Sequence, residues 1–427
     1  MILTSLVLLL VLLGISIPVG AALGVLGLIL EPLYSFLPLS RAFGEVTWAT
    51  STEFLLVAIP LFVMLGEILL RSGLADRMYN AMSMWLSWLP GGLMHANVGA
   101  SALFAATSGS SVATAATVGT VALPQIRRQG YHEPLFLGSL AAGGTLGILI
   151  PPSINLIIYG VLTNTSVPRL YLAGILPGLG IAALFMVIIA GACLIKPNWD
   201  GKRAHVTWKQ RRNSLVHLIP PLLIFFLVVG SIYAGLATPT EAAALGVAGA
   251  LVLAAFAKRL TLGMLRDVFE GTMKTTAMIM LIVIGAATLN FMMSGIGLTT
   301  ALTNSISNLG VSPAMMLLIM VVFYLILGCF METLSMMVTT IPIIAPAMIA
   351  LGFDPVWLGI VIIILIEAAL ITPPVGLNLF VVQSLRPSGS MNAVMLGSLP
   401  FVLVLLVMVG LLAFFPAIAL WLPQLFR

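Results

Sequence analysis

The chain has 427 residues, of which 61% are hydrophobic and 7% charged, whereas an ordinary soluble domain carries roughly 25% charged residues. That balance excludes a water-soluble enzyme or binding module as the bulk of the chain. The net charge of +5 would suit nucleic acid only if the basic residues formed one stripe beside a soluble fold; they sit in joints between apolar runs, so the expected surroundings are a lipid bilayer and no nucleic-acid partner is expected.

In chain order, apolar runs of about 20 residues, the length that crosses a bilayer as helix, alternate with short polar joints. Met1 to Ser16 lacks the basic start and small-residue cleavage pattern of a secretory signal, so it reads as a span. Glu53, Glu67 and Glu241 fall near span ends, where interfacial or structural roles are expected. Gly92 to Gln125 is an apolar stretch interrupted midway by Thr107-Ser108-Gly109-Ser110-Ser111 and flanked by Arg77 and by Arg127-Arg128. Basic residues favour cytoplasmic joints, so this segment is expected to enter and leave by one face as a re-entrant hairpin. Behind it, two prolines in Gly147-Ile148-Leu149-Ile150-Pro151-Pro152-Ser153-Ile154-Asn155 remove two backbone donors and must break their helix. Cys193 and Cys329 lie in apolar runs without metal-ligand spacing and read as small apolar residues.

The chain then repeats itself at a shift of 222. Pro124 matches Pro346, Gly130 matches Gly352, Ser72-Gly73 matches Ser294-Gly295, and Pro151-Pro152 matches Pro373-Pro374. Outer landmarks keep nearly the same register: Pro18 with Ala21-Ala22 falls on Pro239 with Ala242-Ala243, and Gly174 and Pro177 fall on Gly397 and Pro400. Spaced prolines are not produced by the general likeness of apolar helices, so a duplication is expected, with repeats at 1–195 and 216–427 and a linker at 196–215. The second hairpin runs from Pro313 to Pro346 with its tip at Gly328-Cys329-Phe330-Met331-Glu332-Thr333, and the second break is Thr372-Pro373-Pro374-Val375-Gly376-Leu377-Asn378.

Charge sets the relative orientation of the halves. Arg71, Arg77, Arg127 and Arg128 cluster at two joints of the first half, and the matching joints of the second carry no basic residue; Lys258, Arg259, Arg266 and Lys274 crowd a joint whose counterpart offers only Arg41. The halves are therefore expected to be inverted. With the loop Lys196 to Arg212 in the cytoplasm, both termini face the periplasm. The fold class expected is an all-α polytopic membrane protein of two inverted repeats, each with a hairpin and a Pro-Pro-broken helix.

Non-helical backbone at membrane depth is tolerated only where protein or a water-filled cavity satisfies its polar groups. Broken helices expose carbonyls that can hold Na⁺ and amides that can hold a carboxylate. Candidate binding residues are thus Ser108, Gly109, Ser110, Ser111 and Thr114 of the first tip and Gly147, Pro151, Pro152, Ser153 and Asn155 of the first break. Glu332 and Thr333 of the second tip and Thr372, Pro373, Pro374, Gly376 and Asn378 of the second break complete the pair, with Na⁺ expected at Ser110 and Thr333. Glu367 joins them, because an ionisable group inside a span is costly unless paired or wet. Packing by small residues and hydroxyls that bond back to their own helix are the alternative roles for these positions.

At these residues the chain resembles the large membrane subunit, the DctM-like permease, of the tripartite ATP-independent periplasmic (TRAP) transporters. The resemblance rests on Ser108-Gly109-Ser110-Ser111-Val112-Ala113-Thr114-Ala115-Ala116, on Ile150-Pro151-Pro152-Ser153 with Tyr159-Gly160, and on Thr372 through Asn378, and it spans essentially the whole chain. Many members carry an acidic residue where Thr114 stands, so a role of that carboxylate does not transfer. The resemblance implies Na⁺ as the coupling ion with no other cofactor, an elevator motion, and two partners. These are a small membrane subunit of about four helices, expected as a separate polypeptide, and a periplasmic binding protein delivering a small solute, usually a carboxylate. A stand-alone symporter or antiporter of the wider ion-transporter superfamily shares the hairpins but not the binding protein. No HExxH, Asp pair or Ser-His arrangement falls in the spans, so no enzyme activity is expected. No Lys or Arg lies in the tips or breaks, which leaves a carboxylate and a zwitterionic solute both compatible.

Overall fold

The computed structural model describes residues 1–35, 38–202, 206–298, 301, 312–328, 331–386 and 388–426. Among them the secondary structure is helical. The first part of the chain forms α1 (Ile2–Gly14), α2 (Val19–Tyr34), α3 (Phe43–Ser51), α4 (Ala58–Arg71), α5 (Leu74–Leu86), α6 (Leu93–Ser108), α7 (Ser111–Gln129), α8 (Glu133–Thr145), α9 (Ile154–Thr163) and α10 (Val167–Ile195). A short α11 (Trp208–Ser214) leads into α12 (Ile219–Tyr233), and the two meet at a bend of 41°. The remainder forms α13 (Pro239–Phe256), α14 (Leu262–Gly295), α15 (Pro313–Leu327), α16 (Thr333–Ala350), α17 (Pro355–Leu370), α18 (Leu377–Ser384), α19 (Met391–Phe414) and α20 (Ala417–Leu425). Six of the described helices are long and apolar enough to cross a membrane, and a seventh span results if the bent pair is counted as one. The chain is a multi-pass membrane protein.

Local chemistry sets the helix ends that matter here. Gly109 stops α6 in the left-handed region at φ +61°, and Ser110 starts α7 by accepting the Ala113 amide. Ser153 accepts the Leu156 amide at the start of α9, Asp354 accepts those of Val356 and Trp357 at the start of α17, and Thr238 with Glu241 closes a capping box on α13. Both Pro-Pro bonds, Pro151-Pro152 and Pro373-Pro374, are cis.

Contacts between joints gather the helix ends into two groups. At one end, the His132 amide donates to the Trp199 carbonyl and Lys202 to Gln129, Arg386 pairs with Glu133, and Arg71 lies 3.7 Å from Asp267. At the other, the Tyr159 hydroxyl donates to the Pro355 carbonyl (2.7 Å), Tyr233 to Pro168 (3.0 Å) and Thr240 to Phe54 (3.3 Å). α8 therefore starts from the first end and α17 from the second, so they approach their breaks from opposite sides.

Small residues let the central helices touch. Gly138 of α8 lies against Gly397 of α19, and Gly285 of α14 against Gly20 of α2, each so closely that an added methyl would strike backbone. Such small-residue contacts replace the hydrophobic drive that lipid cannot supply between helices. Outward-facing Val187, Leu194, Phe256 and Phe414 are exposed, as suits side chains that meet acyl chains.

Candidate functional site

The first tip and the first break are in backbone contact. A methyl on Gly109 would fall 3.0 Å from the Pro152 carbonyl oxygen, and one on Gly147 would fall 2.6 Å from the Ser110 carbonyl oxygen. Only glycine permits this approach. The second tip is seated likewise, with Gly328 packed on Ala369 of α17.

Both tips open into one cavity of about 590 Å³. Ser108, Gly109, Ser110 and Ser111 line it from the first hairpin and Asn155 from α9, while Glu332 and Thr333 face them from the second hairpin. The opposite wall is made by Gly66, Glu67 and Leu70 of α4 and by Thr275, Met278 and Ile279 of α14. Sequence reasoning missed that wall. Glu67 was placed at a span end; it does pair with Arg71 (3.0 Å), yet it also lines the cavity, and its one signal was a charge within an apolar run.

The remaining candidate residues stand behind the lining. The Thr114 hydroxyl donates to the Ser110 carbonyl (2.7 Å) and lies 3.1 Å from Ser108 Oγ. The Ser153 hydroxyl donates to the Ile148 carbonyl (2.5 Å), and Thr372 to Ala368 (2.6 Å). These three hydroxyls hold local backbone. Pro151 and Pro152 are buried, whereas Pro374 is exposed and Pro373 half-buried. Gly376 carries φ +45°, so the turn after the second break needs glycine. Cys329 and Phe330 of the second tip lie outside the described residues.

Two carboxylates behave differently. Glu332 caps its own helix, accepting the Ser335 amide and hydroxyl, each at 2.9 Å, and still borders the cavity. Glu367 is completely buried, and neither of its oxygens has a hydrogen-bond partner among the described residues.

The halves also interlock across the site. Asn378, just past the second break, donates its amide to Ser111 Oγ at the first tip (2.7 Å) and to the Ala141 carbonyl (3.2 Å). Asn155 occupies the corresponding place after the first break; its Nδ2 is buried without a partner among the described residues and it lines the cavity.

Outside the spans, the linker closes over the root of the first hairpin. Asp200 accepts the Gly91 amide (3.1 Å), and His132 stacks on Trp199 with ring centroids 3.9 Å apart. Burial first, and then the charge of Lys196, hold the His132 imidazole below its ordinary value.

A polytopic helical protein in which two hairpin tips and two broken helices surround an interior cavity has the build of a solute permease. Residues 6–418 match the family described as "Tripartite ATP-independent periplasmic transporter, DctM component", and the chain belongs to that family. It is 35% identical to the C4-dicarboxylate TRAP transporter large permease protein DctM of Pseudomonas aeruginosa over 90% of both chains. It is 31% identical to the sialic acid TRAP transporter large permease protein SiaM of Vibrio cholerae, covering 96% of this chain and 99% of that one. An ectoine/5-hydroxyectoine TRAP transporter large permease protein, UehC of Ruegeria pomeroyi, is also 31% identical, over 87% of this chain and 86% of its own. Among solved structures, the YdaH transporter of Alcanivorax borkumensis shares the fold at a TM-score of 0.64 and 17% identity, covering 95% of this chain and 97% of that one. These relatives are transporters, and the chain is a permease rather than an enzyme.

Proposed function

We propose that the chain carries out Na⁺-coupled uptake of a small organic solute bearing a carboxylate, handed over by a periplasmic binding protein and transported with a separate small membrane subunit of about four helices. The observation that carries this reading is the single cavity into which both hairpin tips open. The halves act as inverted repeats about that cavity, a reading supported by the opposite directions in which α8 and α17 reach their breaks. Helix boundaries agree: α7 begins at Ser111 and α16 at Thr333, 222 residues apart (333 − 111).

One Na⁺ site comprises the first tip and first break, and the other the second tip and second break, a reading supported by the packing of the first tip on its break and of Gly328 on Ala369, in the last turn of the helix before the second break. The hairpins and broken helices move against α4 and α14 in an elevator motion, which exposes the cavity to each side in turn. The end carrying Arg71, Lys196, Arg211 and Arg386 is cytoplasmic, and both termini are periplasmic.

Na⁺-dependent uptake in proteoliposomes tests the site assignment. Ser110→Ala and Thr333→Ala should raise the Na⁺ concentration for half-maximal uptake while leaving insertion intact, and Glu332→Gln should weaken Na⁺ dependence. Unchanged Na⁺ dependence in all three variants at normal expression would remove Na⁺ from these positions.

A further inference from the structure

The joint between the halves carries an exposed stripe in which charge and apolar groups follow a fixed order. Trp208, Arg212, Val216, Ile219, Leu223 and Phe226 are all exposed and recur every three or four residues, the spacing of one helical face. The stripe starts on α11 and crosses the 41° bend into α12. Its α11 end is aromatic and basic, with exposed Lys209 and half-buried Arg211 beside Trp208 and Arg212. Beyond Arg212 the stripe is apolar. From Val216 to Phe226 it covers ten residues (226 − 216), about 15 Å of helix, which is half of a hydrocarbon core of about 30 Å. The apolar part thus matches one leaflet, and the basic part falls at that leaflet's headgroups.

The other side of α11 is fixed to the fold. The Trp85 indole of α5 donates to the Arg211 carbonyl (3.1 Å), and the Trp85 and Trp208 rings meet edge to face with centroids 5.8 Å apart. A capping box of Thr207 and Gln210 starts the helix, which places Arg211 and Arg212 in its last turn. Neither they nor Lys209 have an acidic partner among the described residues. The linker Lys196 to Arg212 holds one acid, Asp200, which accepts the Gly91 amide. α5 also holds one, Asp76, in its first turn and nine residues (85 − 76) before Trp85. Arg211 Nε is buried without an acceptor among the described residues, and such a donor costs stability until one is supplied.

One amphiphile supplies both the missing anion and the missing apolar cover. Arginine forks match phosphate, tryptophan rings sit at headgroup level, and clustered basic residues at a membrane surface attract anionic lipids. We propose that α11 and the first half of α12 bind one anionic phospholipid, its phosphate held by Lys209, Arg211 and Arg212 and its acyl chains lying along Val216 to Phe226. A soluble anion would leave the apolar part of the stripe bare, and a zwitterionic lipid would leave the three positive charges in excess. The bound lipid anchors the joint between the halves at the membrane surface. The site is built from this chain alone and stands apart from the question of Na⁺ coupling.

Native mass spectrometry of the full chain in detergent, titrated with phosphatidylglycerol or with phosphatidylcholine of the same acyl chains, tests this. Phosphatidylglycerol should be retained in preference, and Lys209→Gln, Arg211→Gln and Arg212→Gln should each lower that preference by about fivefold. Lys209 and Arg212 are exposed, so their variants decide the matter even if Arg211→Gln fails to fold. Trp208→Ala keeps the charges and should weaken both lipids alike. The control is Lys258→Gln with Arg259→Gln, an exposed basic pair just after α13, which should leave the preference unchanged. An equal loss in that control would reduce the effect to diffuse attraction and overturn the site. Displacement of the lipid by inorganic phosphate at the same concentration would show a plain anion site, and its loss on assembly with the small membrane subunit would assign the face to that protein; either result overturns the proposal, as does equal retention of the two lipids.

Discussion

Replacing Gly147 with alanine presses directly on the joint between the first tip and the first break. The added methyl would lie 2.6 Å from the Ser110 carbonyl oxygen and 2.9 Å from Thr114 Oγ1. Ordinary contact begins near 3.4 Å, so the tip must retreat by about 0.8 Å (3.4 − 2.6). Gly147 and Ser110 are both held by backbone, which leaves no flexible side chain to absorb the shift. Overpacking of this kind costs about 1–3 kcal/mol. If that strain falls on the ion-bound arrangement, affinity for Na⁺ should drop by about 5- to 150-fold. The assay is the Na⁺ dependence of solute uptake, with thermal unfolding in detergent as a companion measure of the fold. Gly191→Ala on α10, where nothing lies within 4 Å of the new methyl, serves as the control and should leave both readouts unchanged. An unchanged Na⁺ half-saturation in Gly147→Ala, at wild-type expression, would refute the contact as part of an ion site.

Other outcomes follow from the same geometry. Asn378→Leu removes the amide that joins the second break to Ser111 and Ala141 and should lower stability by about 1–3 kcal/mol, read by thermal unfolding; a wild-type melting curve would show that the cross-link is idle. Glu133→Gln deprives the buried Arg386 guanidinium of its ionic partner, leaving the Gln383 side chain and the Ser390 carbonyl as neutral acceptors, and should destabilise the end where α8 and α18 meet, seen as faster amide exchange there but not at the opposite end. Burial, and then the charge of Lys196, hold the His132 imidazole below its ordinary value, so the folded state binds this proton less readily than the unfolded chain; stability should decline as pH falls through the ring's ordinary 6.5, and His132→Gln should flatten that decline. Arg203, the natural residue for labelling the linker, lies outside the described residues, so Lys202→Cys serves instead; labelling by an impermeant reagent only from the cytoplasmic side is expected, and labelling of intact cells from outside would reverse the orientation.

The elements around the site were legible because they depend on local chemistry. The run Thr107 to Ser111 marks where α6 ends and α7 begins, and the stretch Gly328 to Thr333 marks the same junction between α15 and α16. Prolines have only one effect on a helix donor, so both breaks could be placed to the residue. The far wall of the cavity could not be read in this way. Glu67 and Thr275 are 208 residues apart (275 − 67), and nothing in either helix's own pattern shows that they share a cavity. The bond from Asn378 to Ser111 crosses the halves for the same reason unseen, since sequence registers which residues correspond and not which ones meet. Hydroxyls were ambiguous from the start. Thr114, Ser153 and Thr372 bond to nearby carbonyls, whereas Ser110 and Thr333 border the cavity, and this division depends on side-chain direction within a single turn.

Purified chain, reconstituted with its small membrane subunit and its solute-loaded binding protein, gives the most direct test of the account when solute uptake is followed under an imposed inward Na⁺ gradient. The account predicts accumulation that needs all three components and collapses when the gradient is replaced by equal K⁺. Accumulation by this chain alone, or at the same rate without Na⁺, would contradict it.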